Sequence, residues 1–175
     1  MGFVYWITGL SGAGKTTIGQ IFYRELKQVY PNTVFLDGDI MREVFGDDLG
    51  YTESERRKCA MRYSRICNML QDQELNVVCC TISMFDEVRK WNREHIENYR
   101  EIYIKASIDV LQKRDQKGLY SGNTDEREKE VMGLHIAFEE PKDPDLVIEN
   151  EGNVTPENQV DKIVKHFRVM DSVEY

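Results

Sequence analysis

Residues 9–16 read Gly9-Leu10-Ser11-Gly12-Ala13-Gly14-Lys15-Thr16, a G-x-x-x-x-G-K-T run that dictates most of what this chain can become. Its flanks match the pattern. Phe3, Val4, Tyr5, Trp6 and Ile7 predict a buried strand before it, and Thr17, Ile18, Ile21, Phe22 and Leu26 spell a helical pattern after it. In a strand–loop–helix of this kind, backbone N–H groups turn inward around phosphate oxygens and the helix N-terminus adds partial positive charge. The run therefore predicts a nucleoside-triphosphate site. Gly9, Ser11, Gly12, Ala13, Gly14, Lys15, Thr16 and Thr17 are its candidate residues. Lys15 would neutralise the β- and γ-phosphates, and the Thr16 hydroxyl would ligate Mg²⁺.

Apolar runs alternate with helical patterns along the rest of the chain. Strands are predicted near 3–8, 33–36, 76–82, 100–105 and 145–148, and helices over about 15–29, 53–72, 86–98, 108–114 and 157–170. This alternation predicts an α/β fold with a parallel sheet and right-handed crossovers. At 175 residues, with no repeat and no linker, the chain reads as one domain. Adjacent Cys79 and Cys80 should point to opposite faces of a strand. With Cys59 and Cys67 they read as buried thiols of a reducing, cytoplasmic protein rather than as metal ligands or disulfides.

The net charge of −8 argues against nucleic acid as a partner, because no basic field exists to hold a phosphate backbone. No stretch is apolar enough over a sufficient length to span a membrane. The first strand leads straight into the glycine loop, so Met1 is expected to begin the folded domain.

The second predicted strand ends in Leu36-Asp37-Gly38-Asp39, followed by Arg42. Ligands of open α/β sheets sit beyond the carboxyl ends of the strands, which places both carboxylates beside the glycine loop. A kinase needs one group for the acceptor's hydroxyl proton and another to help hold Mg²⁺. Asp39 is assigned to the hydroxyl and Asp37 to the metal with Thr16, although the division between the two is open. The alternative is an Asp-Gly turn with Asp39 capping the next helix. Arg56 and Arg62 lie six residues apart on one predicted helix and read either as a solvated face or as an anion site. The polar stretch 115–135 before the last strand fits a closing lid or a plain surface loop.

Taken in order, these pieces resemble the adenylylsulfate (APS) kinase family, whose members phosphorylate the 3′-hydroxyl of adenosine 5′-phosphosulfate. The resemblance is carried by Trp6-Ile7-Thr8 with the glycine loop, Leu36-Asp37-Gly38-Asp39 with Arg42, and Leu49-Gly50-Tyr51. It continues through Arg56 and Arg62, Ile82-Ser83, Arg114-Asp115-Gln116-Lys117-Gly118-Leu119-Tyr120, Phe138-Glu139-Glu140-Pro141 and Pro144-Asp145-Leu146. It implies a P-loop nucleotide kinase with a five-stranded parallel sheet in the order 2-3-1-4-5, flanking helices, a lid and a homodimeric assembly. It also implies that Arg42, Arg56 and Arg62 hold the acceptor's 5′-anionic groups and that Tyr51 stacks on its base. Cys59, Ile82, Ser83, Lys117, Gly118 and Leu119 would line the acceptor site, and Arg114 the ATP site.

The chain departs from the family pattern on the acceptor side. Cys59 stands where Asn is usual, Met84 replaces Pro after Ile82-Ser83, and Asp86 replaces a basic residue. The usual lid run Phe-Thr-Gly-Ile-Asp reads Val131-Met132-Gly133-Leu134-His135. Val131 cannot supply the second aromatic face around adenine, where base stacking contributes about 1–3 kcal/mol. Two acceptors follow. One is APS itself, with sulfate assimilation as the setting, which the family pattern favours. The other is a pyrimidine analogue, as in the related cytidine diphosphoramidate kinase of capsular phosphoramidate pathways, with Met132 and His135 in the pocket. A GTPase switch would want an Asn/Thr-Lys-x-Asp motif, which is missing. Shikimate- or gluconate-type kinases are not expected to carry Lys117-Gly118-Leu119-Tyr120.

Overall fold

The computed structural model describes residues 1–46, 48–114 and 137–169. Among them five strands, β1 (Val4–Thr8), β2 (Thr33–Asp37), β3 (Asn76–Thr81), β4 (Tyr99–Lys105) and β5 (Leu146–Glu149), form one sheet in the order β2-β3-β1-β4-β5. Every pairing is parallel, with Trp6 opposite Cys79 on one side and Glu101 on the other. The strand order is the one the family resemblance implied.

Burial explains the order. Every residue of β1 and β3 is buried, which suits strands covered on both faces, whereas β2 and β5 are only partly buried and occupy the edges. Among the described residues six helices connect and cover the strands: α1 (Lys15–Val29), α2 (Gly38–Val44), α3 (Glu53–Asp72), α4 (Asp86–His95), α5 (Ile108–Arg114) and α6 (Pro156–Phe167). Helix α1 buries Ile18, Phe22 and Leu26 at fourfold spacing and packs on α6, β2 and β3. Cys80 donates its thiol to the Lys15 carbonyl of α1, while burial, with Cys67 of α3 beside it, pushes the thiol of its neighbour Cys79 well above its ordinary value. Helices α1 and α3 therefore cover opposite faces, and all four cysteines are buried free thiols, as the sequence predicts.

Local signals set the helix ends. Helix α3 opens on a reciprocal capping box between Thr52 and Glu55. Helix α6 opens on Thr155, which accepts from the Asn158 amide, with Pro156 in the first turn, one residue earlier than the pattern predicts. It stops at Phe167 because Arg168 is left-handed at φ 50°. The fourth helix was expected to reach residue 98 but ends at His95, where Ile96 turns extended to start toward β4. Helix α2 falls outside the predicted spans, since seven residues are too few to show a helical period.

One close approach fixes α1 against the sheet. A Cβ on Gly19 would lie 2.2 Å from the Cys80 sulfur, with Ile7 and Phe35 each 3.4 Å away. Gly19→Ala gains helix propensity of about 1 kcal/mol but overfills this contact by about 1–3 kcal/mol. The crowding wins because the sheet side chains around it are also close-packed. The expected result is a melting temperature lower by several degrees, recovered in the Gly19→Ala/Cys80→Ala double variant. Equal losses in the single and double variants would refute the contact as the cause.

No helix among the described residues is long and apolar enough to cross a membrane. The predicted lid lies outside the described residues, as do Lys117, Gly118, Leu119, Val131, Met132 and His135.

Candidate active site

Parallel strands bring their carboxyl ends to one edge of the sheet, and the loops leaving β1, β2 and β3 meet there. They surround a cleft of about 460 Å³. Ser11, Gly12, Gly14, Lys15, Thr16 and Thr17 form one wall, and Asp37, Gly38, Asp39 and Arg42 a second. Tyr51, Arg56, Cys59 and Tyr63, with Ile82, Ser83 and Phe85, line the far side. Gly9 and Ala13 are buried behind the loop rather than on its cleft surface.

The loop is shaped by backbone conformation. Gly12 and Gly14 are left-handed, at φ 79° and 100°. No side chain caps the first turn of α1, which leaves its entry to backbone groups. Lys15 is buried and donates from Nζ to the Leu10 carbonyl at 2.8 Å. Two residues brace the loop from behind. Asn150 donates from Nδ2 to the Ala13 carbonyl at 2.8 Å. Arg114 donates to the carbonyls of Gly12 at 3.2 Å and Asn150 at 2.9 Å. Arg114 thus reaches the loop's backbone and is not on the cleft wall. Asn150 escaped sequence reasoning, although its place one residue past β5, at a strand's carboxyl end, was the available signal.

The Asp-Gly-Asp segment divides its carboxylates clearly. Asp37 is buried at the end of β2, accepting from the Asp39 amide at 3.0 Å and from the Thr16 hydroxyl at 2.8 Å. Asp37, not Asp39, is therefore the N-cap of α2. The reason is register, because the residue before the first helical turn is the one whose side chain can reach back to its amides. Asp39 sits in that first turn, exposed on the cleft wall. The Thr16 and Asp37 oxygens form a hard-oxygen pair of the kind Mg²⁺ accepts, with its remaining positions left to phosphate and water. Among the described residues no group of three or more His, Cys, Asp or Glu side chains could hold a metal without such help.

On the acceptor side, Arg42 donates to the carbonyls of Leu49 at 2.9 Å and Gly50 at 3.0 Å, and its guanidinium lies 4.5 Å from the Tyr51 ring centroid. Arg56 lies 5.1 Å from the same centroid and donates to the Tyr51 carbonyl. Two guanidiniums thus share one aromatic ring, an arrangement that holds both planes in place beside the cleft. Arg62 does not join them. It pairs bidentately with Asp48 at 2.6 and 2.7 Å and is not on the cleft wall. The six-residue step turns it more than a full helical turn from Arg56 and onto the Asp48 side, and its guanidinium holds the Asp48 carboxyl below its ordinary value.

Cys59 is buried in the cleft wall with its sulfur 2.9 Å from the Tyr63 hydroxyl, which in turn donates to the Gly38 carbonyl at 2.8 Å. Ser83 adopts φ 30° and shares a 2.7 Å hydrogen bond with Thr81, while Thr8 donates to the Ile82 carbonyl. Glu139, of the Phe138–Pro141 motif, accepts from the Asp86 amide and from Arg57. The acidic residue at 86 therefore replaces a basic one while its backbone still anchors this motif.

Comparison with known proteins agrees with this geometry. The family model for adenylylsulphate kinase matches residues 1–149. A cytidine diphosphoramidate kinase of Campylobacter jejuni is 41% identical over 163 residues, covering 93% of this chain and 95% of the relative. An adenylyl-sulfate kinase of Halothermothrix orenii is 33% identical over 166 residues, covering 95% and 89%. Among solved structures, the Mycobacterium tuberculosis APS kinase in complex with AMPPNP and APS superposes with a TM-score of 0.84 at 26% identity, covering 95% of this chain and 98% of that one. The chain belongs to the adenylylsulphate kinase family and is an APS-kinase-like nucleotide kinase, a phosphotransferase acting on a hydroxyl group.

Proposed function

We propose that this adenylylsulphate kinase family member transfers the γ-phosphoryl group of ATP to the 3′-hydroxyl of cytidine 5′-diphosphoramidate. The supporting observation is the acceptor wall. Cys59, in place of the usual Asn, is tied to Tyr63, and Tyr51 lines the same wall as the ring this reading assigns to the acceptor's base. The relative that acts on the cytidine compound is 41% identical, against 33% for the H. orenii adenylyl-sulfate kinase. This reading takes the alternative acceptor ahead of APS, which the family pattern favours. APS remains the second reading, favoured by the family match and by the retained Tyr51, Arg42 and Arg56.

In this reading Ser11, Gly12, Gly14 and Lys15 bind the donor's phosphates, and Thr16 and Asp37 hold Mg²⁺. The metal, when bound, neutralises charge on the β- and γ-phosphoryl oxygens. Asp39 accepts a hydrogen bond or the proton from the acceptor hydroxyl, while Arg42 and Arg56 fix the acceptor's 5′-anionic groups. We further propose that the protein is cytoplasmic and homodimeric; light scattering of the purified protein tests the dimer directly.

The deciding experiment is a coupled ADP-release assay with Mg-ATP and either acceptor. Turnover confined to the cytidine compound supports the first reading, and turnover confined to APS overturns it. Arg56→Ala is expected to raise the KM of the productive acceptor by about 10- to 100-fold, since a charge-assisted contact contributes about 1.5–3 kcal/mol. The KM for ATP should stay within about twofold. A comparable rise in the ATP KM would remove Arg56 from the acceptor side.

A further inference from the structure

We propose that Tyr63 is a positioning residue that clamps helix α2, and through it Asp39, against the cleft wall. The inference rests on the reading of Asp39 given above. Helix α2 is seven residues long, carries both Asp39 and Arg42, and buries only Met41. Its Ile40 and Val44 are exposed. A helix this short gains little from its own hydrogen bonds, so its place depends on what grips it.

Tyr63 grips both ends. Its hydroxyl donates to the carbonyl of Gly38, the first residue of α2, at 2.8 Å. Its ring stacks on Phe45, the C-cap, with centroids 5.8 Å apart and planes 21° from parallel. One turn back on α3, the Cys59 thiol donates to the same hydroxyl and so orients its proton toward Gly38. Burial pushes the Tyr63 phenol well above its ordinary value, so that proton stays in place across the working pH range. Because α3 is a twenty-residue helix packed on β1, β3 and α4, the clamp refers α2 to the rigid body of the domain. Asp39 lies one residue from the clamped carbonyl, so a loosened clamp moves the carboxylate before it moves the phosphate loop.

Tyr63→Phe removes the hydroxyl and keeps the ring stack. Amide hydrogen exchange is expected to quicken about three- to tenfold at residues 42–46, and to stay unchanged in α1. With Mg-ATP and cytidine 5′-diphosphoramidate, and with APS in parallel, kcat should fall about three- to tenfold while the KM for ATP holds within about twofold. In an Asp39→Asn background the same substitution should cost less than about twofold further, because its effect runs through Asp39. Phe45→Leu, which keeps the hydroxyl and loses the stack, should quicken exchange at the C-terminal end of α2 and serves if Tyr63→Phe does not fold.

Unchanged exchange in α2 overturns the clamp. Quickened exchange with full kcat, or an undiminished loss in the Asp39→Asn background, overturns its link to Asp39. If Asp39→Asn alone keeps full kcat, the reading of Asp39 fails, and the exchange data still decide whether Tyr63 holds α2.

Discussion

Lys15→Ala will fold and will not transfer phosphate: kcat is expected to fall at least about 1,000-fold at saturating acceptor, or about 4 kcal/mol of transition-state stabilisation. The reason lies in what phosphoryl transfer asks of a protein. Little covalent chemistry is required, so positioning and charge neutralisation carry nearly all the catalysis. Lys15 is buried at the mouth of α1 with its ammonium on the Leu10 carbonyl, so its charge is held inside the loop rather than screened by water. Raising the acceptor concentration should recover nothing. Lys15→Arg should rescue poorly, since the wider guanidinium must fit where Nζ lies 2.8 Å from a backbone oxygen. Thermal melting within a few degrees of wild type would confirm that chemistry, not folding, is lost. A Lys15→Ala protein with a tenth of wild-type kcat would show that the loop backbone carries the phosphates alone.

The two carboxylates of the Asp-Gly-Asp segment should separate under substitution. Asp39→Asn is expected to lower kcat about 100- to 1,000-fold with little change in either KM, the size usual for a general base or its equivalent. Asp37→Asn should lower kcat too, but in a way that high Mg²⁺ partly restores, and with some loss of stability. The structure supplies the distinction. Both oxygens of Asp37 are engaged, one on the Asp39 amide and the other on the Thr16 hydroxyl, whereas Asp39 stands exposed on the cleft wall. A carboxylate whose two oxygens already accept from a helix amide and a loop hydroxyl is poorly placed to meet the acceptor hydroxyl. Near-full kcat in Asp39→Asn, or Mg²⁺ rescue of that variant, would exchange the two roles.

Much of this arrangement is legible in the chain. The glycine loop, its flanking strand and helix, and the all-parallel sheet follow from periodicity and motif. These signals are local and repeat within a window of a few residues. The two faces of β3 follow from the adjacency of Cys79 and Cys80, because side chains alternate along a strand. Other features rest on contacts between residues far apart in sequence. Helix α2 has no period to read. Asn150 braces Ala13 across the β5 end, and Arg114 reaches Gly12 from α5. Arg62, grouped with Arg56 by resemblance, belongs to Asp48.

The sequence by itself determined the α/β class, the donor loop and the two strand-end carboxylates, since each is set by near neighbours in the chain and by the short-range stereochemistry of glycine, strand and helix. Only the tertiary structure decided which carboxylate is buried as a helix cap and which stands exposed, which arginines share the Tyr51 ring, and that Tyr63 spans both ends of α2. Those are outcomes of packing, where one helix's register on another places a hydroxyl or a guanidinium within hydrogen-bond reach, and no pattern within a single segment encodes that distance.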